Sequence, residues 1–324
     1  MPPEVIPMKS TDRSSTDHPF ERVSEVSSTD GFDLSRWLEE HVLVPVRILA
    51  EDRKTIIGVS ILTVYVLMGT VGVLLVPEPT TDGPRLQAPF QSLEYPLGTD
   101  AMGHDLLAMI VHATPQMLQM ILAGAVFATA VATVVGTVAG YKGGLADDVL
   151  TLVMDVMLTV PGLPLIIVLA ATIEPSNPLL IGVLLTINTW AGLARTIRAE
   201  VLSLRNDNYV EAARLMGTPT WRIIAEDIVP NIMPYVLINF MMAGRSVIFS
   251  AVGLYFLGLL PFTALNWGVI LDMASSNGAL SSTSTIHWVI VPTVVIIALS
   301  YGLIMLSQGM DRLFNPRVRA RKRD

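Results

Sequence analysis

Six times along the chain, apolar residues run together for roughly the twenty positions that a helix needs to cross a hydrocarbon layer about 30 Å thick. The runs fall at about 55–76, 117–140, 149–172, 178–196, 232–260 and 288–308, and they predict an all-α integral membrane protein with six transmembrane helices. The third run contains Pro161 and Pro164, and the fourth is polar at Asn188 and Thr189. Such interruptions are tolerated where neighbouring helices or a water-filled path satisfy the backbone. The polar segments between the runs decide orientation, because Lys and Arg resist translocation. Arg47, Arg53, Lys54, Lys142, Arg198, Arg205, Arg214, Arg222 and the cluster from Arg312 to Arg323 all belong to one side, whereas the opposite loops, about 77–116, 173–177 and 261–287, hold only Arg85. Both termini are therefore expected in the cytoplasm and the chain in the plasma membrane. Residues 1–54 form an N-terminal tail, 55–310 the transmembrane domain and 311–324 a basic C-terminal tail.

Composition supports the membrane reading: 52% of residues are hydrophobic and 15% charged, with a mean hydropathy of +0.56, well above a soluble domain's. The absence of cysteine excludes disulfides, thiolate metal sites and cysteine nucleophiles. A net charge of −7 argues against nucleic-acid binding, which shows a basic stripe. Lysine occurs only at positions 9, 54, 142 and 322 amid plentiful Asp, Glu and Arg, a bias that fits high salt. Residues 1 to about 30 are rich in Ser, Thr, Asp and Pro and predict a disordered tail. No apolar run lies near the N-terminus, so no cleaved signal peptide is expected. Leu34, Trp37 and Leu38 share one helical face, which suits a short helix on the membrane surface and equally a fragment packed on other protein.

The segment from Tyr209, YVEAARLMGTPTWRIIAEDIVPNIMP, lies in the longest cytoplasmic connection. Glu211 to Met216 favour a helix, Gly217 permits a turn after it, Thr218 suits a cap and Pro219 a first helical position. Trp221, Ile224, Ile228 and Val229 then recur at helical spacing until Pro230 is expected to end the run. Two short helices at an angle result, forming a projecting knob able to fill a groove on a partner.

Glu211-Ala212-Ala213, then Gly217, then Pro230 thirteen residues later resembles the coupling motif of ATP-binding-cassette importer permeases. The resemblance implies that Glu211 makes a polar contact in a cleft of the ATP-binding subunit and that Gly217 sets the bend. Tyr95-Pro96-Leu97-Gly98-Thr99-Asp100 with Gly103, His104 and Asp105 is similar to a segment of dipeptide and oligopeptide permeases, specifically the second of their paired subunits. Gly140 to Gly144 with Asp147, Phe256 to Leu259, Asn266-Trp267-Gly268 and Asp311 to Arg317 extend the likeness over nearly all of the chain beyond the tail. It implies a heterodimer with a second permease, two ATPase subunits docked on residues 209–230 and an external substrate-binding protein that delivers peptides. Nickel or another small solute is the alternative cargo. His104 departs from the family's usual arginine, Ala113-Thr114-Pro115-Gln116 from a basic, serine-containing stretch, and Glu226-Asp227 from a basic pair.

Asp155 and Arg245 lie inside expected spans, where a charge costs roughly 2.5–3.5 kcal/mol. They read either as lining the path or pairing with another subunit, or as side chains reaching for a helix end. Gly98-Thr99-Asp100 reads either as a contact with the delivery protein or as an ordinary turn. His104, His112 and His287 lack ligand spacing, so no metal is assigned, and the methionines, Met117, Met120, Met241 and Met242 among them, read as adaptable packing. No phosphate-cradling Gly-rich Lys loop is present and no catalytic constellation stands out, so neither cofactor nor enzymatic activity is expected. The rival readings, a secondary transporter or channel, call for broken-helix repeats with converging polar residues.

Overall fold

The structure is a computed structural model that describes residues 52–314 apart from Thr263. The expected tail up to residue 51, the helix proposed around Trp37 and the basic segment from residue 315 onward lie outside the described residues. Apart from one antiparallel bridge, Thr99 to Asp105, the described residues contain no β-structure.

Helix α1, Arg53–Leu67, starts where the Asp52 carboxylate accepts the Thr55 N–H at 3.2 Å. It runs through a wide turn, Met68–Gly72, into Val73–Leu75. Its apolar length packs on the last helix through glycine: a Cβ on Gly58 would lie 2.7 Å from the Leu306 nitrogen and 2.8 Å from the Gly302 oxygen. Close approach through small residues is how helices associate where no hydrophobic drive separates them from lipid.

Helix α2, Leu106–Lys142, is the central column at 37 residues, about 55 Å at 1.5 Å per residue. It begins eleven residues before the expected run of 117–140, so residues 106–116 are helix and not loop. The polar stretch His112 to Gln116 masks that start in the sequence, but the helix absorbs most of it: the Thr114 hydroxyl donates to the Ile110 carbonyl at 2.7 Å and His112 Nε2 lies 2.9 Å from the Val76 oxygen. One stripe of α2 holds only small residues, Gly124, Ala128, Ala132, Gly136 and Gly140. A Cβ on Gly124, Gly136 or Gly140 would come within 2.5–2.8 Å of the carbonyl oxygens of Gly182, Ala194 and Arg198 respectively.

Both expected spans three and four are broken. Helix α3, Gly144–Thr159, and α4, Gly162–Ile173, meet at 86° around Val160-Pro161. Pro161 removes a backbone donor, and Pro164 falls in the first turn of α4, where proline is tolerated. Helix α5, Pro178–Leu185, and α6, Trp190–Leu204, meet at 61°. There the buried Thr186 hydroxyl reaches the Gly182 and Gly124 oxygens at 3.2 Å each, so the interrupted ladder is satisfied across the seam with α2. The two breaks are neighbours, since a Cβ on Gly162 would touch the Asn188 amide at 2.6 Å.

Helices α7, Asn208–Leu215, and α8, Thr220–Ile223, follow as expected for the hairpin. Two details differ from expectation. Pro219 is itself the cap position of α8, with no Thr218 side-chain cap. Pro230 does not end the run: the chain passes through a wide turn, Ile224–Ile228, into α9, Val229–Phe256, so that Thr220–Phe256 is one apolar 37-residue helix. The wide turn sets Pro230 in the first turn of α9, where a proline is tolerated. Val229 N–H reaches back five residues to the Ile224 oxygen, and the Asn231 amide donates to the Asp227 oxygen at 2.6 Å.

Helix α10, Trp267–Ser276, lies within what the sequence marks as loop. Asn266 caps it by accepting from Gly268 and Val269 at 3.0 and 3.1 Å, and the fully buried Trp267 ring meets Tyr65 edge-on at 5.7 Å. Helix α11, His287–Phe314, completes the bundle. Among the described residues, four helices are long and apolar enough to cross a membrane, or up to six if each bent pair is one span. Among the described residues the core has two clusters: one joins α1, the first half of α2, α4, α5, the later part of α9, α10 and α11, and the other joins the second half of α2 to Met154, α6, α7, Ile223, Ile228 and Ile232.

Candidate coupling hairpin and the sites around it

Gly217 makes the bend of the hairpin. Its φ of +76° is open to glycine and costly for other residues. The Thr218 N–H reaches the Ala213 oxygen at 3.1 Å and the Gly217 N–H the Arg214 oxygen at 3.0 Å, the paired bonds of a Schellman stop. The helix that precedes it is two-faced. Val210 and Ala213 are buried against the bundle together with Ile223 and Ile228. Glu211 and Ala212 are exposed.

Arg214 ties the hairpin to the column. Its Nε donates to the Tyr141 hydroxyl at 3.3 Å, its Nη2 donates to the Arg205 carbonyl at 3.3 Å, and its guanidinium lies over the Tyr141 ring at 5.2 Å. Asn231 joins α9 to Tyr209 at 3.3 Å. Burial, and then the Asp207 and Asp227 charges, push the Tyr209 phenol above its ordinary range. The tip itself is apolar and bare: Leu215, Met216 and Trp221 are 84%, 78% and 70% exposed. Three large apolar side chains thus lie exposed around one bend. Pattern reading missed this tip, placing Trp221 only within a helical spacing; its signal was a tryptophan beside a glycine turn in a polar loop.

At the opposite end of α2, Thr99 and Asp100 are fully buried. Asp100 Oδ1 accepts from the Met102 and His104 backbone at 2.8 Å each and its Oδ2 meets His104 Nδ1 at 2.7 Å. The Thr99 hydroxyl donates to the Pro84 oxygen and accepts from Gln87 N–H at 2.9 Å, while His287 Nε2 lies 3.2 Å from the Thr99 carbonyl. Gly98, at φ +84°, leaves no room for a side chain, since a Cβ would lie 2.4 Å from the Gln87 oxygen. The segment is thus a latch that fastens the 81–105 loop to the head of α11, and the polar atoms of Thr99 and Asp100 are committed to it. Asp105 caps α2 through Leu107 and Ala108 at 3.0 and 3.3 Å. Burial nonetheless raises its carboxyl above the usual range, more than those two bonds lower it.

The charges inside the spans are arranged as a ladder. Asp147 and Asp155, two helical turns apart on α3, pair with Arg198 and Arg195 on α6, the first pair bidentate at 2.5 and 2.7 Å. Asp155 and Arg195 remain about half exposed. The Arg245 guanidinium lies over Phe249 at 5.3 Å, and its buried Nε has no hydrogen-bond partner among the described residues. Close to the break in α5–α6, Thr189, Thr196, Tyr235 and Asn239 line a cavity of about 270 Å³ among α2, α6 and α9.

The two ends of this helical bundle differ in kind: one carries a bent, apolar-tipped hairpin stapled to the central column, the other a latched loop. With its long apolar helices, that combination is the build of a multi-pass membrane protein. Residues 132–320 match the family described as the binding-protein-dependent transport system inner membrane component, and the chain belongs to that family. It is 28% identical over 279 residues to the dipeptide transport system permease protein DppC of Bacillus subtilis, covering 84% of this chain and 85% of that one. It is 31% identical over 229 residues to the oligopeptide transport system permease protein OppC of Mycobacterium bovis, covering 70% and 77%. The OppC protein of Bacillus subtilis is 27% identical over 229 residues, 70% of this chain and 73% of the relative.

Proposed function

We propose that this chain is one of two paired permease subunits of an ATP-driven importer, that its cargo is short peptides, and that residues 209–230 are the handle gripped by separate ATP-binding subunits. The observation that carries this is the hairpin: a glycine-fixed bend, a bare apolar tip and an arginine staple to the central helix. In this reading Glu211 and Ala212 face the ATPase groove, Ala213 packs the handle on the bundle, Gly217 sets its angle, and Pro230 marks where the handle enters its span. The arginine-rich end is cytoplasmic, with both chain termini on that side. The relatives' dipeptide and oligopeptide names support the cargo.

The opposite end receives solute from an external binding protein, with Gly98, Thr99 and Asp100 shaping the receiving loop from within. The polar cavity beside Asn239 and the kinked α5–α6 lies along the path. A half-exposed ion pair on spanning helices is costly in lipid, so Asp155 and Arg195 meet the second permease or a watery path, and Arg245 finds its missing acceptor there as well.

The test is co-purification with the ATP-binding subunits. Leu215→Ser and Trp221→Ser leave insertion and thermal stability unchanged, because both side chains are exposed, while cutting recovery of the ATPase at least tenfold. Full recovery in both variants refutes the handle.

A further inference from the structure

Beside the hairpin, Tyr141, Lys142, Arg205, Asn206, Arg214 and Thr218 border a cavity of about 710 Å³, closed on one side by Thr220 and Ile223. Three cations converge there, and no carboxylate is among its walls. Among the described residues, none of the three cations is in an ion pair. Their bonds are to neutral oxygens: Arg205 Nη1 donates to the Gly140 carbonyl at 3.1 Å, and Arg214 donates to the Arg205 carbonyl and the Tyr141 hydroxyl. These contacts use one of Arg205's five N–H donors and two of Arg214's, leaving the rest, among the described residues, free of protein acceptors in the same cavity. Like charges gathered in a wall without a carboxylate repel; the Asp147 charge acts on Arg205, but that carboxylate is held by Arg198 through two bonds and does not line the cavity. The arrangement fits an anion that arrives from elsewhere.

We infer that this cavity binds the phosphate group of an anionic phospholipid. Two features favour a phosphate over a carboxylate. The walls offer two guanidinium forks, an ammonium and the Thr218, Thr220 and Tyr141 hydroxyls, more donors than the two oxygens of a carboxylate accept, and guanidinium forks suit phosphate geometry. The cavity also lies at the last turn of a helix long and apolar enough to span, with Tyr141 and Lys142 in its wall, the end of a span where basic and aromatic side chains meet headgroups. A bound headgroup would stitch Lys142 of the column to Arg214 of the hairpin, making the stiffness of the hairpin depend on lipid charge. The inference does not depend on which solute the chain moves.

Full-length chain, purified in mild detergent and stripped of lipid, is titrated with dioleoyl phosphatidylglycerol, dioleoyl phosphatidylcholine and, separately, sodium phosphate, with bound mass read by native mass spectrometry. Phosphatidylglycerol binds at least tenfold more tightly than phosphatidylcholine, whose choline the cations repel. Lys142→Gln and Arg205→Gln each lower that binding several-fold, and Lys142→Arg retains it. Lys142 is exposed and outside the packing, so its variants keep the fold. Sodium phosphate binding as tightly as phosphatidylglycerol, and lost in Lys142→Gln, upholds the phosphate site and moves its source to soluble phosphate. Equal retention of both lipids, or phosphatidylglycerol binding untouched by Lys142→Gln, overturns the inference. So does loss of ATP-binding-subunit recovery in Lys142→Gln with no lipid or phosphate bound, which would make the cavity a seat for a partner's carboxylate.

Discussion

Replacing Gly217 separates the shape of the hairpin from its surface. At φ +76° with open space around it, the position penalises a side chain through backbone strain alone, about 1–2 kcal/mol for alanine. The stop it supports consists of two backbone bonds, from Thr218 to Ala213 and from Gly217 to Arg214, each contributing a net of about 1 kcal/mol. Strain and bonds are therefore comparable, and Gly217→Ala shifts the bent population by roughly tenfold, the equivalent of 1.4 kcal/mol. Asparagine tolerates the left-handed region better, so Gly217→Asn retains most of the function. Proline is fixed near φ −65° and cannot adopt the bend. The assay is ATP-driven uptake by the assembled transporter in proteoliposomes, read beside the thermal stability of the permease. The expected order is Gly, Asn, Ala, Pro, with stability nearly flat because the site touches nothing else. Uptake by Gly217→Pro at the wild-type level, or Asn no better than Ala, refutes the reasoning.

Three further outcomes follow from the packing. Gly182→Ala places a Cβ 2.2 Å from the Met120 oxygen and destabilises the bundle by about 1–3 kcal/mol, as overpacking does; thermal denaturation in detergent reads it. Asp100→Ala strands the Met102 and His104 N–H groups at about 1–3 kcal/mol for each that stays dry, and hydrogen exchange over residues 81–105 rises while the arginine-rich end stays protected. Asp105 has a folded-state pKa above its unfolded one, so its titration adds stability below the unfolded value, and that increment is lost as pH rises through the folded value. Asparagine caps as well as aspartate, so Asp105→Asn holds or raises thermal stability at pH 7 and flattens its dependence on pH in the acidic range; a lower melting point at pH 7 contradicts this.

The hairpin was legible because its cues are local: helix formers, a glycine stop, and apolar spacing after Pro219. Pro230 misled for the same reason, since a proline reads as a breaker, whereas here it falls in the first turn of α9 directly after a wide turn. The start of α2 was hidden because hydropathy counts Thr114 and His112 as polar, whereas their bonds to Ile110 and Val76 make them compatible with a buried helix. The latch was half visible. Gly98-Thr99-Asp100 announced a turn, but that its backbone docks on the head of α11 depends on His287, which meets the Thr99 carbonyl from 188 residues away. The ladder between α3 and α6 needed the fold as well. Asp155 stood out as a charge in a greasy run, and nothing in its surroundings named Arg195 as its mate.

The passage from Thr220 to Phe256 without a loop has a mechanical corollary. Whatever pushes on Trp221 pushes on a single rod roughly 55 Å long, with no slack joint at the membrane surface to absorb the stroke. Its softer sections are the five-residue widened coil at Ile224–Ile228 and the turn at Pro234, where a backbone donor is missing. A small tilt imposed at the tip would therefore be magnified at the far end of the rod, where Tyr255 helps to wall a third cavity.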